Sequence, residues 1–436
     1  MQRPNIVFII SHDTGRYLGT YGRNVETPEI DELANEGIQF NNYFCSQPQC
    51  SPSRGSIMTG RYGHNHGMMG LAHMGHSIYE QLETIPSELN KIGYRTSLIG
   101  LYHESVNDEF DPYKLGYQHY QQVPGNWAAE VTDHFVDFLK EENKRNDDSP
   151  FYVSLGFEET HRPFDDYEPV DLDEVVLPDY LPDTEEVRKD FAQFYRSGMD
   201  MDDAVGRIKR AIKEQGFDDN TVIIFTTDHG IAFPRAKGTL YDSGLETAFL
   251  MKFPEGMYEQ GYQSDALLCN VDLMPTIFDL VDCKVPEGVD GVSFLPLIEG
   301  EVEQTRDHFF AEMTWHDKYH PMRGVRTQKY KYIRNFEDGP KVYMPYDLHT
   351  SLTGEVVRDE YYVPNVDEEL YDLEVDPAEL NNIASDEAYR EVLADLRAKV
   401  DQWMEASDDP LLKGRVPGYE AEEWESVDDD YESRKK

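Results

Sequence analysis

Four short apolar runs, each ending in ionisable residues, constrain this chain more than any other feature. Asn5–Ile10, Thr96–Ile99, Phe151–Leu155 and Thr221–Phe225 are strand-sized and do not alternate with polar residues. A strand without a polar face is buried on both sides, as in a parallel sheet. Helical stretches separate the runs. Thr27-Pro28 supplies a cap and a first residue, Ile30, Leu33 and Ala34 form a stripe, and Gly37 stops the helix. Ser87–Ile92 reads as a short helix and Thr184–Gln215 as a long one. This alternation predicts an α/β fold, a mostly parallel central sheet flanked by helices. After about residue 305 the pattern changes. Gly324–Ile333 alternates in strand fashion, Glu369–Leu373 is a short strand, and a helix over Ser385–Met404 carries Tyr389, Val392, Leu393, Leu396 and Val400 on one face. The expected division is therefore a main domain over 1–304 and a smaller α+β C-terminal subdomain with an antiparallel sheet over 305–436, packed on it.

Charge excludes some partners. There are 85 acidic residues against 40 basic ones, a net −45, so neither a nucleic acid nor an anionic membrane surface is an expected partner. No apolar run reaches the roughly 18 residues of a membrane span. No leader pattern precedes Asn5, which predicts a cytoplasmic protein. Acidic doublets at Asp147-Asp148, Asp202-Asp203 and Asp218-Asp219, and the run from Glu420 to Glu432, fit either a salt-adapted surface or a plainly solvated one. Cys45, Cys50, Cys269 and Cys283 are too few for a disulfide framework.

The four runs lead to Ser11-His12-Asp13, His103-Glu104, Glu158-Glu159-Thr160-His161 and Asp228-His229. Ligand sites of open parallel sheets lie beyond the carboxyl ends of the strands, so the four clusters converge. Carboxylates and imidazoles gathered there suggest a divalent metal, with Asp13 and Asp228 as the best ligands. A second feature is Cys50-Ser51-Pro52-Ser53-Arg54, followed by Thr59-Gly60-Arg61. Ser51-Pro52 can start a helix, which puts Cys50 at a helix N-terminus beside Arg54, where a thiol is acidified and an anion favoured. The alternative is a small buried residue at a helix start.

The Cys-x-Pro-Ser-Arg motif with its downstream Thr-Gly-Arg resembles the signature of the type I sulfatases, of alkaline phosphatase-like fold. Asn5–Asp13, Thr27–Ala34, Thr226–Gly230, Lys237–Gly244, Asp290–Leu297 and Glu369–Leu373 resemble further landmarks of that family, in order. Within it, Gly67–Leu71 with His73 and His76, Pro321-Met322-Arg323, and the Trp403–Pro410 region resemble the N-sulfoglucosamine sulfohydrolase (heparan N-sulfatase) branch.

The resemblance implies a hydrolase of sulfate esters or sulfamates, acting on a sulfated small molecule or glycan. It implies that Cys50 is oxidised to Cα-formylglycine by a formylglycine-generating enzyme. It also implies a divalent ion, calcium first with manganese or magnesium as alternatives, held by Asp13, His12, Asp228, His229 and residue 50. One hydroxyl of the hydrated aldehyde would attack sulfur and the other would later expel sulfate. Arg54 would orient the hydrate, Lys237 would hold a sulfate oxygen, His161 would protonate the leaving group and His103 would act as base.

Two residues depart from the pattern: His12 replaces an aspartate, and Leu101 replaces a lysine. The first leaves the site one negative charge short and shifts preference from calcium toward manganese-like ions; the second removes a cation. Related folds use the same nucleophile on phosphonate monoesters or phosphodiesters, and a degenerate sulfatase that only binds sulfated glycans is a third reading. His316, His320 and Arg323 are candidate substrate contacts, although Trp315, His316 and His320 fit aromatic core packing equally well. His64 and His66 read as loop filler, and Cys45, Cys269 and Cys283 as buried thiols.

Overall fold

The computed structural model describes residues 3–104 and 112–418; the acidic run from Glu420 lies outside them. One sheet holds β1 (Asn5–Ser11), β2 (Ile38–Phe44), β3 (Arg95–Gly100), β4 (His119–Gln121), β5 (Phe151–Gly156), β6 (Thr221–Thr227), β7 (Phe249–Lys252) and β8 (Tyr262–Cys269). Their order across the sheet is β4-β3-β5-β1-β6-β7-β2-β8. β7 is antiparallel to both of its neighbours, and every other pairing is parallel. The expected mostly parallel α/β sheet is present.

The reason for unbroken apolar runs is visible in β1. Ile6, Phe8 and Ile10 enter the core on one face, while Val7 and Ile9 enter the core on the other. Successive strand residues point to opposite faces, and here helices cover both. Each such side chain contributes about 1.5–3 kcal/mol on burial. The four runs with polar ends form β3, β5, β1 and β6, which are consecutive in the sheet, so their carboxyl ends lie side by side.

The helix Pro28–Glu36 starts and stops where the sequence predicts, but its cap differs. Thr27 makes no side-chain cap. Instead, Asp202 of the long helix Glu185–Glu214 accepts hydrogen bonds from the backbone N–H groups of Glu29 and Ile30, at 3.1 and 2.7 Å. One member of the Asp202-Asp203 doublet is thus a buried capping group rather than surface charge, with its carboxyl pushed up to about 6 by burial.

The second sheet is an antiparallel meander of β9 (His308–Trp315), β10 (Tyr319–Thr327), β11 (Tyr330–Asn335) and β12 (Glu368–Asp372). Its inward residues Phe309, Val325, Tyr332 and Leu370 share one core with Ile231, Phe233, Leu240 and Leu245 from the chain after β6. Charge joins the same parts. Asp242 pairs with Arg326 at 3.0 Å and with Lys331, and Lys331 pairs with Glu379 at 2.8 Å. Among the described residues, no helix is long and apolar enough to cross a membrane.

His64 and His66 form part of the short helix Gly63–His66 and are buried. The His66 Nδ1 accepts from Met68 N–H at 3.2 Å, so its Nε2–H donates to Ser56 Oγ at 3.1 Å. Burial pushes His66 down to about 3. A depressed histidine stabilises the fold above its ordinary value near 6.5, and that contribution fades as pH falls toward 3, because only the unfolded chain takes up the proton. The melting temperature should therefore drop between pH 7 and 4, and His66→Gln should be less stable at pH 7 with a shallower drop. Equal slopes in calorimetry would assign the acid sensitivity elsewhere.

Candidate active site

The site forms where β1, β3, β5 and β6 end. Asp13 follows β1 with φ at +55°, in the left-handed region, and the turn aims its buried carboxylate at three cations. Asp13 Oδ1 lies 2.8 Å from both His12 Nδ1 and His229 Nε2. Asp13 Oδ2 accepts from Lys237 Nζ at 2.8 Å. Asp228, after β6, ties the turns together. Its Oδ1 accepts from the backbone N–H groups of Asp13 and His229, each at 2.9 Å, and its Oδ2 accepts from Arg54 Nε at 3.0 Å.

Cys50 is the first residue of the helix Cys50–Thr59, as the motif predicts, and is buried. Burial alone would push its thiol up, yet the positive charge of His12 and Lys237, with hydrogen bonds from His103 and His12, holds it well below the usual thiol range. Arg54 lies one helical turn on and is buried, and its Nη1 has no hydrogen-bond partner. His103, after β3, packs edge-on to His12 with ring centroids 5.1 Å apart, and its backbone N–H donates to Glu104 Oε2 at 2.7 Å. His161 Nδ1 bonds the Arg162 carbonyl, which leaves Nε2 facing Lys237 Nζ at 3.4 Å. Burial, Lys237 and His12 hold His161 below the ordinary histidine range, so its ring rests neutral.

The donors fit a divalent cation. One ligand atom from each of His12, Asp13, Cys50 and His229 lies within 4.8 Å of all the others. His229 Nδ1 bonds the Gly230 carbonyl at 2.9 Å, which turns Nε2 inward. That buried Nε2 makes no well-formed hydrogen bond. Burial disfavours charge on His229, but Asp228 and Asp13 raise it to about 9. A bound cation would replace that proton. Asp228 stands just outside, 3.5 Å from His12 Nδ1 and 3.8 Å from His229 Nε2.

The candidate substrate contacts divide. His316 is buried in the β9–β10 turn, with Nδ1 3.3 Å from Asp317 Oδ1. His320 stacks on Tyr343 at 5.2 Å, the ring that His316 also meets at 6.2 Å, and burial pushes it down to about 4. Arg323 is not brought to the cluster. Its guanidinium is fully buried and bonds Asp409 at 2.6 and 3.1 Å, the Met313 carbonyl at 2.9 Å and Glu312 at 3.3 Å, so its donors are used inside the C-terminal region. His64 completes that knot, bonding Glu312 at 2.9 Å and Ser407 at 2.8 Å. Trp315 is core, donating to the Val416 carbonyl. Leu101 is buried at the end of β3, its N–H on the Gly156 carbonyl.

Sequence reading missed Asp347. Its carboxylate accepts from Lys237 Nζ at 3.1 Å and lies within ligand reach of Asp13 and His161. It enters from the short helix Tyr346–His349, more than a hundred residues after Lys237, and no local pattern marks it.

Comparisons with known proteins give the family and the fold. The family model described as Sulfatase matches residues 4–283, and one described as N-sulphoglucosamine sulphohydrolase, C-terminal, matches residues 233–356. The chain is 28% identical to an ulvan-active sulfatase of Formosa agariphila, over 94% of this chain and 76% of that protein. It is 26% identical to human N-sulphoglucosamine sulphohydrolase, over 94% of this chain and 92% of that protein. A solved structure from work on glycosaminoglycan metabolism by Bacteroides thetaiotaomicron superposes with a TM-score of 0.76 at 22% identity, covering 95% of this chain and all of the other. Another, solved in complex with its substrate D-glucosamine-2-N,6-O-disulfate, gives 0.70 at 20% identity, covering 93% of this chain and 98% of the other.

The helix carrying residue 50 depends on a close approach. A Cβ at Gly55 would sit 2.8 Å from His66 Cε1. Gly55→Ala should therefore lower stability by about 1–3 kcal/mol, the usual cost of overpacking. Ser56→Ala, which removes the acceptor of both the His66 ring and the Ser46 hydroxyl without a clash, should cost about 1–3 kcal/mol, because it leaves buried donors unpaired. Denaturant titration checks both, and a Gly55→Ala chain as stable as the native one would show that the His66 ring can move away.

Proposed function

This chain belongs to the sulfatase family and is a sulfuric ester hydrolase; we propose that it cleaves sulfate esters or sulfamates of a sulfated sugar, with residue 50 in its formylglycine form as nucleophile. The setting of residue 50 carries this reading: a buried helix N-terminus faced by His12, Lys237, His103 and Arg54. A sulfate ester repels nucleophiles because its oxygens are negative. This site gathers positive charge where such an anion would sit.

A divalent ion held by His12, Asp13, His229, Asp228 and residue 50 would supply Lewis-acid neutralisation of a sulfate oxygen. Formylglycine, made from Cys50 by a formylglycine-generating enzyme, supplies a hydrated aldehyde and hence a nucleophile that can be reset. The remaining roles belong to the chain's own side chains. Arg54 holds a free Nη1 donor for residue 50 or the anion. Lys237 exchanges part of its pairing with Asp13 and Asp347 for a sulfate oxygen. His161 starts neutral, and an anion placed beside it raises its proton affinity, which suits it to protonate the departing oxygen or nitrogen. The hydrogen bond between His103 and residue 50 supports His103 as the group that removes a proton there.

Residues 1–304 carry this chemistry, and 305–436 add Asp347 and His316 at its rim. His316, whose Nε2 has no hydrogen-bond partner while Nδ1 pairs with Asp317, is the sugar contact this reading takes from that region. The relatives that act on ulvan and on N-sulphoglucosamine, and the neighbour bound to a disulfated glucosamine, support a sulfated sugar as substrate.

Three measurements test the reading. Sulfate release from an aryl sulfate should exceed phosphate release from the matched aryl phosphate; the reverse preference would favour a phosphoester hydrolase. The peptide holding residue 50 should be about 18 mass units lighter than its cysteine form, and Cys50→Ala should abolish turnover. His161→Ala should lose roughly 100-fold or more on sugar sulfates or sulfamates, whose leaving groups are strongly basic, and far less on activated aryl sulfates. Equal losses on the two substrate classes would remove His161 from the acid role.

A further inference from the structure

We propose that the ion site of this chain selects a first-row transition ion of the manganese-to-zinc group and discriminates against calcium, with His12 setting the choice. The presence of an ion rests on the reading above; its identity comes from the donors.

Calcium takes six to eight oxygen ligands, whereas imidazole nitrogen suits transition ions. Here the tight cluster offers two imidazoles, one carboxylate and residue 50. Both Asp228 oxygens are already engaged, Oδ1 by two backbone N–H groups and Oδ2 by Arg54. Asp228 therefore adds at most a second carboxylate beside Asp13, whose Oδ1 faces both imidazoles and whose Oδ2 is held by Lys237.

Placement points the same way. His12 Nδ1 and His229 Nε2 both lie 2.8 Å from Asp13 Oδ1, so two nitrogen donors are gathered around the one carboxylate oxygen of the cluster.

Charge is the third argument. Asp13 and Asp228 are balanced by Lys237 at 2.8 Å and Arg54 at 3.0 Å. Calcium affinity follows the count of ligand charges, and this pocket offers no net negative excess from those four groups. Imidazole ligation depends less on that excess. The hydrogen bond from His229 Nδ1 to the Gly230 carbonyl fixes the ring for ligation.

The test equilibrates chelator-stripped full-length protein with an equimolar mixture of Ca2+, Mg2+, Mn2+ and Zn2+, followed by desalting and elemental analysis. Thermal melts during titration with each ion alone provide the second readout. Manganese or zinc should be retained near one per chain with calcium at least tenfold lower, and should raise the melting temperature at tenfold lower concentration. His12→Asp should move the calcium-to-manganese ratio toward calcium by at least tenfold. His12→Gln should lose manganese and zinc without gaining calcium, which covers the case in which the aspartate variant does not fold. Cys50→Ser should keep the native preference, since the ring nitrogens set it. Calcium retained at one per chain by the native protein, or an unchanged ratio in His12→Asp, overturns the proposal. Aryl sulfate turnover measured in parallel separates the two readings. An active, calcium-loaded enzyme overturns the ion choice alone, whereas a chain inactive with every ion overturns the proposed function.

Discussion

The Asp13 carboxylate is the interaction on which the rest of the site depends. One of its oxygens meets two imidazoles and the other meets Lys237. Its own backbone N–H is held by Asp228, which also fixes Arg54 and the turn at His229. Four separate segments are therefore oriented through one residue. Its left-handed backbone costs about 1–3 kcal/mol for a non-glycine residue, and the surrounding bonds must outweigh that cost. Without compensation, burying so many charges would be prohibitive, and it is the pairing that makes the cluster tolerable.

Much of this was legible in the chain because parallel sheets write themselves plainly. A strand covered on both faces must be apolar throughout, and polar residues at its end can only belong to a loop. The runs at Asn5, Thr96, Phe151 and Thr221 thus revealed both the sheet and the edge where ionisable groups meet. The helix at Cys50 was legible through Pro52 and Arg54. The strands β2 and β7 were not: Ile38–Phe44 carries polar residues that face a neighbour only the fold supplies, and Phe249–Lys252 is only four residues long. The cap on Pro28–Glu36 was misassigned for a similar reason: Thr27 has the right chemistry, but Asp202 arrives from more than 170 residues away and takes the place.

The same limit explains Arg323 and Asp347. Arginine is a reasonable guess for an anion contact, and nothing local shows that Asp409 and Glu312 will enclose this one. Asp347 is one of many carboxylates in a chain that has 85. Only three-dimensional placement, within reach of Lys237 and His161, separates it from solvated charge. The acidic surface thus conceals the few carboxylates that matter.

The pairing of Asp242 with Arg326 and Lys331 has a meaning for how such proteins change over time. The loop that carries Lys237 ends on that carboxylate, while both cations sit in the antiparallel sheet. A recombinant exchange of C-terminal halves between relatives would have to bring matching charges on both sides of the seam. Otherwise it would leave a buried ion without its counterpart, and breaking such a pair costs about 3–5 kcal/mol. Exchange of the C-terminal part is thereby constrained at this seam by the need to match charge on both sides.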